Sequence, residues 1–277
     1  MGKLQNIAMS AVMLSAVSLT YLGVAQWQSS HRVRPAAAPL AMNEAKPSQQ
    51  PMVLAAVQAP VEAAPAPAPL RPEDSYYSQL RKKIRWVETR MGGDTLMTPD
   101  PDSRMLLAKS AAQRAGLHEV GLGFKDVYGI INAETSWVPR MGASKNGTPN
   151  LGIAQFEPAT ARALGLRDPN DLVEAVHVAA RHMKEAALWS ADRIAGLKLG
   201  AAQRAEKLRE GVSVYYNLSS RGRSVWNGKN TAKLPSETQK HILNARIGAQ
   251  QAVMLEAQLE AFNQSQGRGL VLASMTR

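Results

Sequence analysis

Glu134 is the residue whose surroundings most clearly suit acid–base chemistry, because the apolar side chains of Ile130, Ile131 and Trp137 flank its carboxyl group. Apolar surroundings disfavour the charged form of a carboxyl group, and so does the negative end of a helix dipole. Both effects predict a pKa for Glu134 above its ordinary value. A carboxyl group that keeps its proton near neutral pH can serve as a general acid.

A predicted helix positions this carboxyl group. Val127, Ile131 and Val138 recur with Glu134 at helical spacing, which predicts an apolar stripe that carries one carboxylate. Pro139 disfavours helical geometry at the residue before it, so the helix should end about two residues before the proline. Glu134 then lies in the last turn, where its side chain can point into a cleft.

A polar loop follows the helix and is punctuated by Gly142, Gly147 and Gly152. Glycines at such intervals indicate turns, and a short hairpin is the largest β-element expected here. Gln155 ends the loop, and a new helix is predicted to begin at Pro158 because proline is favoured at the first helical position. The predicted order is a helix with a terminal carboxylate, a glycine-rich loop and a second helix.

This segment resembles the lytic transglycosylase family related to goose-type lysozyme. The family pattern has a glutamate followed by Ser or Thr, an aromatic residue and often proline. It continues with a loop serine, a Gly-Leu-Met-Gln sequence and a Pro-x-Thr-Ala helix start. The matching residues here are Glu134, Thr135, Trp137, Pro139, Ser144, Gly152, Gln155, Pro158, Thr160 and Ala161.

Two further blocks follow in the order that the family has. Residues 214–217, Val-Tyr-Tyr-Asn, resemble its Ala-Tyr-Asn block, and residues 234–242 resemble its Leu-Pro-x-Glu-Thr-Arg-x-Tyr-Val block. The resemblance covers roughly residues 102–247. The chain departs from the pattern at Ala154, where the family has methionine, and at Leu218 and Ser219, where it has Ala-Gly. The loop after Ser144 is also longer than usual.

The resemblance implies a reaction on peptidoglycan that needs neither a cofactor nor a metal. Glu134 would protonate the oxygen of the β-1,4 bond between N-acetylmuramic acid and N-acetylglucosamine. The acetamido oxygen of the substrate would stabilise the anomeric carbon. Glu134 would then accept the proton of the muramyl 6-hydroxyl, which leaves a 1,6-anhydro-N-acetylmuramic acid end.

The resemblance also implies which residues surround the reaction. The implied catalytic residues are Glu134, Tyr216 and Ser144, and the implied substrate-binding residues are Gln155, Asn217, Thr135 and Glu237. Ser144 and Tyr216 would hydrogen-bond the Glu134 carboxyl group or the acetamido group, and Glu237 would also brace Tyr216. Tyr215 is the competitor of Tyr216, and the asparagine directly after Tyr216 favours Tyr216.

Two other functions stay open. A lysozyme-type hydrolase on the same fold would differ in its product, and most glycosidases use a second carboxylate, for which Glu157 is the candidate. A non-catalytic peptidoglycan-binding envelope protein would follow if the departures at Ala154 and Leu218 had disabled the cleft.

Residues 1–34 are predicted to be a signal peptide or a membrane anchor. Residues 7–25 form an almost wholly apolar run of 19 residues, which is long for the apolar region of a signal peptide and near the lower range for a spanning helix. Both interpretations place the rest of the chain in the periplasm, with tethering to the inner membrane preferred. Residues 35–73 are rich in Ala and Pro, which predicts an extended linker that could reach about 100 Å.

The composition limits the partners. The chain has 33 Lys and Arg against 22 Asp and Glu, a net charge of +11. Such a balance attracts polyanions, among them the acidic wall polymer peptidoglycan, whereas no recognised motif indicates a nucleic acid. Cysteine is absent, which excludes disulfides. A secretion or conjugation machine of the cell envelope stays open as a partner.

The predicted fold class is all-α, or α with a minimal β-hairpin, as a lysozyme-like helical domain. This domain is placed at residues 103–264, after a helix and loop at 74–102 and before a flexible tail at 265–277. Besides the helix that carries Glu134, the pattern predicts helices at residues 76–91, 103–115, 168–189, 201–216 and 236–262.

Overall fold

The computed structural model describes residues 73–144 and 147–275, with side chains up to residue 262 and at residue 264. The predicted signal or anchor segment, and the predicted linker except for its last residue, lie outside these ranges. Within them, helices make up 63% and strands 10% of the residues, which confirms the predicted, mainly helical class. Residues 73–90 and the described residues from 95 onward belong to one compact unit, and residues 91–94 belong to another.

The helices and strands take the following order along the chain. The helices are α1 Asp74–Arg81, α2 Pro101–Arg114, α3 Phe124–Thr135, α4 Pro158–Ala163, α5 Leu172–Ile194, α6 Ala201–Asn217, α7 Ser220–Ser224 and α8 Ser236–Met275. Short 3-10 helices lie at Leu117–Val120 and Thr231–Lys233. Strand β1 (Trp86–Met91) pairs with β2 (Asp94–Pro99), and β3 (Gly142–Ala143) pairs with β4 (Pro149–Asn150).

The pair β1 and β2 corrects the prediction for residues 76–102. The sequence predicts one helix and then a loop, but the helix stops at Arg81 and two six-residue strands follow. Thr, which favours strands, lies on both sides of Gly92-Gly93, and Val87 precedes them. Gly92 has a φ of 65°, a conformation that two-residue hairpin turns require. The tight turn at Gly92-Gly93 therefore outweighed the helical pattern that predicted a helix up to residue 91.

The start of α5 differs from the prediction by a few residues. The predicted N-cap is Asp168, but the helix begins at Leu172 and Asp171 caps it. Asp171 Oδ1 accepts hydrogen bonds from the N–H groups of Val173 and Glu174 at 3.0 and 3.1 Å. Asp168 closes the preceding turn instead, because its Oδ1 accepts from the Asn170 N–H at 2.9 Å.

Two other helices extend beyond their predicted bounds. Helix α2 begins at Pro101 because Asp100 accepts a hydrogen bond from the Ser103 N–H at 2.8 Å, so Ser103 lies inside the helix that it was predicted to cap. Helix α8 continues to Met275, beyond the predicted end near Phe262 and across most of the predicted tail.

Helix α3 packs closely against α8, and this contact positions the site. Ile131 of α3 is fully buried. At Gly129, a Cβ atom would lie 2.3 Å from the backbone oxygen of Ala245, and at Gly248 it would lie 2.6 Å from Asn132 Cβ. Only glycine permits so close an approach. The two helix backbones therefore fix the relative position of the side chains that they carry.

A groove of about 690 Å³ lies between α3, α6 and α8, with Ile130, Ile242 and Met254 among the side chains that line it. It reaches Ile130, one helical turn before Glu134, and Glu134 is not among its lining residues. In the described ranges, none of the helices combines the length and the apolar character needed to cross a membrane.

Candidate active site

Glu134 lies in the last turn of α3, as predicted. The helix begins after Gly123, whose N–H donates to Asp126 Oδ2 at 2.8 Å, and it ends at Thr135. Its apolar stripe is buried, with Ile131 fully enclosed. The Glu134 side chain keeps 17% of its surface exposed. Its carboxyl group is therefore sheltered but can still be reached from solvent.

The Glu134 carboxyl group contacts His241, a residue that the sequence prediction missed. Glu134 Oε1 lies 2.9 Å from His241 Nε2, and the His241 side chain is 5% exposed. The other ring nitrogen, Nδ1, is buried and has no hydrogen-bond partner in the described part of the chain. One signal could have found this residue, since His241 stands where the family block has tyrosine.

The chain reverses sharply after Glu134. Ser136 and Trp137 both adopt left-handed backbone conformations, with φ values of 55° and 64°. Such conformations cost non-glycine residues about 1–3 kcal/mol each and cluster at functional sites. The Trp137 ring is fully buried, and the Trp137 carbonyl accepts a hydrogen bond from Thr98 Oγ1 at 2.7 Å. These contacts hold the turn in place.

Arg140 places a cation beside the same helix end, and it too was missed. Its Nη1 donates to the carbonyl oxygens of Thr135 at 2.6 Å and Val138 at 3.2 Å. Its Nη2 donates to the carbonyl oxygen of Glu134 at 3.3 Å. A cation stabilises the negative end of a helix dipole. Burial lowers the pKa of Arg140, and the Glu134 carboxylate opposes that shift, so the two charges interact.

Thr135 and Gln155, which the resemblance places at the sugar, bind the protein backbone. Thr135 is buried, and its Oγ1 donates to the Ile153 carbonyl at 2.9 Å. Gln155 Nε2 donates to the carbonyl oxygens of Arg140 and Gly152, both at 2.8 Å. These bonds tie the glycine-rich loop to the end of α3. The two residues shape the site, and their contacts with a sugar stay a prediction.

Ser144 lies beside Glu157. Its Oγ is 2.6 Å from Glu157 Oε1 and 3.2 Å from Asn150 Oδ1. The β3–β4 hairpin sets this geometry, because it also joins the Ser144 N–H to the Thr148 carbonyl at 2.8 Å. Among the described contacts, the predicted hydrogen bond from Ser144 to Glu134 is not formed.

The charge of Glu134 acts on Tyr216, whereas Tyr215 packs under Arg223. Burial raises the pKa of Tyr216 well above its ordinary value, and the charge of Glu134 adds to the rise. The Tyr216 hydroxyl donates to the Ala179 carbonyl at 2.8 Å, and its predicted bond to the Glu134 carboxyl group or to the acetamido group of the substrate stays a prediction. The Arg223 guanidinium lies 4.0 Å from the centre of the Tyr215 ring. The geometry thus favours Tyr216 as the tyrosine of the site.

Asn217 and Glu237 lie where α6 ends and α8 begins. Asn217 is exposed, and its Oδ1 accepts a hydrogen bond from Thr238 Oγ1 at 2.6 Å. Glu237 is exposed in the first turn of α8. The bond from Thr238 ties the helix of Tyr216 to the helix of His241. Sugar binding by Asn217 and Glu237, and bracing by Glu237, stay predictions.

In the described ranges, no group of three His, Cys, Asp or Glu side chains is arranged to hold a metal ion. Comparisons of the chain with protein-family models, curated proteins and solved structures find no match. The three motif blocks and the geometry around Glu134 are therefore the features that indicate a function. That geometry joins a carboxyl group, an imidazole, a cation and a phenol, groups that suit proton transfer.

Proposed function

We propose that this protein is a peptidoglycan lytic transglycosylase in which Glu134 is first a general acid and then a general base. The contacts of the two Glu134 carboxyl oxygens are the observation that supports the proposal. Oε1 contacts His241, and Oε2 forms no hydrogen bond with any residue that the structure describes. A sheltered carboxyl group with one oxygen open to a ligand can give and take a proton at a bound substrate.

The proposed reaction begins when Glu134 gives its proton to the glycosidic oxygen between N-acetylmuramic acid and N-acetylglucosamine. The bond from that oxygen to the anomeric carbon breaks, and the acetamido oxygen of the muramyl sugar stabilises the carbon. The muramyl 6-hydroxyl then bonds to the anomeric carbon and loses its proton to Glu134. The 1,6-anhydro ring closes, and Glu134 is protonated again.

The charges near the site support this scheme. The carboxyl group becomes negative when its proton leaves, and the Arg140 cation would stabilise that charge. The hydroxyl of the muramyl sugar is held by the same ring that carries the anomeric carbon, which gives it a high effective concentration against water. The net charge of +11 suits an acidic wall polymer as the substrate.

The organisation of the chain fits an envelope enzyme. We assign residues 103–264 to a lysozyme-like catalytic domain and residues 35–73 to a linker. Residues 1–34 would export the domain to the periplasm or tether it to the inner membrane. A tethered domain on an extended linker would reach wall strands within about 100 Å of the membrane.

A lysozyme-type hydrolase is the alternative, and one contact weighs against it. Such an enzyme would need a second carboxylate to direct water, and Glu157 is the candidate from the sequence. Glu157 Oε1 accepts a hydrogen bond from the Ser144 hydroxyl at 2.6 Å, so this oxygen is already engaged within the protein and is not directed at a water molecule on the far side of a bound sugar.

Replacement of Glu134 by glutamine tests the proposal. The amide is nearly isosteric but cannot supply a proton, so lysis of purified wall should fall at least ~10²-fold. The control is Glu88→Gln, which changes an exposed carboxylate of β1 and should leave lysis unchanged. Near-normal lysis by a folded Glu134→Gln protein would remove Glu134 from its role. No lysis by the folded wild type would instead favour a non-catalytic wall-binding protein.

A further inference from the structure

His241 is held against Glu134 by a close contact between α3 and α8. The absence of side chains at Gly129 and Gly248 lets the α3 and α8 backbones approach closely. Asn132 Nδ2 also donates to the Asn244 carbonyl at 3.2 Å, three residues beyond His241. The distance of 2.9 Å between His241 Nε2 and Glu134 Oε1 is therefore set by two packed helices and not by a loop.

The hydrogen-bond chemistry of the pair determines which ring nitrogen carries the proton. An ionised Glu134 can only accept a hydrogen bond, so His241 must donate from Nε2. When Glu134 carries its proton on Oε2, Oε1 is still an acceptor and the same Nε2–H serves. Nδ1 has no partner among the described residues, so within them Glu134 alone selects the tautomer.

His177 shows the opposite arrangement and provides a comparison within the chain. Its Nδ1 lies 2.7 Å from the Val173 carbonyl, which can only accept, so the proton must be on Nδ1. Its Nε2 lies 2.7 Å from Ser110 Oγ, which can donate. Both nitrogens of His177 are therefore used within the fold, whereas His241 uses one nitrogen and directs it at the carboxyl group.

We propose that His241 is a positioning residue, whose Nε2–H holds Oε1 of Glu134 so that Oε2 carries the proton that reaches the substrate. The inference rests on the proposed function. A hydrogen bond to an ionised oxygen is about twice as strong as one to a neutral oxygen. The bond from His241 therefore strengthens as Glu134 loses its proton, and it stabilises the transition state more than the ground state. Arg140 and Tyr216 are ionisable groups on which the charge of Glu134 acts.

Three variants of the full-length protein test this role on purified wall. His241→Leu removes the donor and should lower kcat by about 10- to 100-fold, the value of one hydrogen bond to a charged group, with KM nearly unchanged. His241→Gln keeps an N–H near the position of Nε2 and should recover most of the lost rate. His118→Gln, at an exposed histidine, is the matched control and should keep the wild-type rate.

Nitrogen NMR of the full-length protein labelled with ¹⁵N-histidine gives a readout that does not depend on activity. The His241 signals, identified by their loss in His241→Gln, should show a proton on Nε2, and those of His177 should show it on Nδ1. A neutral His241 with its proton on Nδ1 would overturn the proposal, and so would a folded His241→Leu protein with the wild-type kcat. If the wild type does not cleave wall, the proposed function fails, and the tautomer alone then decides whether His241 holds Oε1.

Discussion

Replacement of Gly129 by alanine tests whether the α3–α8 contact sets the active-site geometry. Gly129 lies in the interior of α3, where helix propensity alone would favour alanine by about 1 kcal/mol. The packing predicts the opposite, because the new Cβ would lie 2.3 Å from the Ala245 backbone oxygen and 3.2 Å from the Ala249 nitrogen. The sign of the stability change therefore shows which effect prevails.

The size of the effect follows from how far the helices must move. Ordinary contacts of a Cβ atom begin at 3.4 Å, so a separation of 2.3 Å requires a shift of about 1 Å. The obstructing atom belongs to a helix backbone and cannot rotate away. Overpacking of a core costs about 1–3 kcal/mol. Because that atom cannot move aside, we expect the upper part of this range, about 2–3 kcal/mol. After the gain of about 1 kcal/mol from propensity, the free energy of unfolding should fall by about 1–2 kcal/mol.

Thermal unfolding followed by circular dichroism measures this change. A loss of about 1–2 kcal/mol lowers the Tm of a domain of this size by roughly 2–8 °C. Gly196→Ala is the control, since a Cβ at Gly196 meets nothing within 4 Å, and its Tm should stay close to that of the wild type. Separation of α3 from α8 should also lengthen the contact between Glu134 and His241 and slow wall lysis. A Gly129→Ala protein that is as stable and as active as the wild type would refute the reasoning.

Three further predictions concern the tyrosine pair, the N-terminal segment and a buried histidine. Tyr216→Phe should slow wall lysis about 10-fold or more, because the charge of Glu134 acts on the Tyr216 hydroxyl, whereas Tyr215→Phe should not; equal rates would mean that the Tyr-Asn block is wrongly assigned. A chain that begins at Asp74 should remain soluble and lyse purified wall, while the full chain should sediment with membranes; recovery of a soluble mature protein that begins near Gln26 would replace the anchor with a cleaved signal. Burial lowers the pKa of His177 to about 4 from 6.5, so the unfolded chain takes up this proton first. The free energy of unfolding should therefore fall between about pH 6.5 and pH 4, and denaturant titrations should show a smaller fall for His177→Gln; equal falls would contradict the assignment.

Patterns within the segment around Glu134 predicted the part of the site that this segment forms. The apolar spacing before Glu134 and the proline after it predicted a helix that ends with a carboxyl group, and α3 has that form. The glycines of the following loop predicted a small hairpin, which β3 and β4 form. Both features depend on neighbours in sequence, for which periodicity and turn chemistry are informative.

The contacts that complete the site could not be predicted in the same way. His241 lies 107 residues after Glu134, and no periodic pattern links the two. The two glycines that bring α3 and α8 together lie in ordinary helical sequence, where their role is visible only once the helices are paired. The family resemblance assigned Thr135 and Gln155 to the sugar, but the loop backbone offers carbonyl oxygens that use the same donors.

The errors outside the site arose where two local signals competed. The charged residues of 81–85 extended a helical pattern into a segment that the Gly-Gly turn makes a hairpin. Asp168 and Asp171 both precede α5, and either could cap it by residue type. The turn at Asn170 engages Asp168, which leaves Asp171 as the cap.

Mass analysis of the products from purified wall is the most direct test of the central claim. If Glu134 acts without a second catalytic carboxylate and the muramyl 6-hydroxyl is the nucleophile, the glycan products should end in 1,6-anhydro-N-acetylmuramic acid. Each should be lighter by one water than its lysozyme counterpart and should resist borohydride reduction at the muramyl end. Mainly reducible muramyl ends, formed without later enzymatic opening of the ring, would contradict the account and identify the protein as a hydrolase.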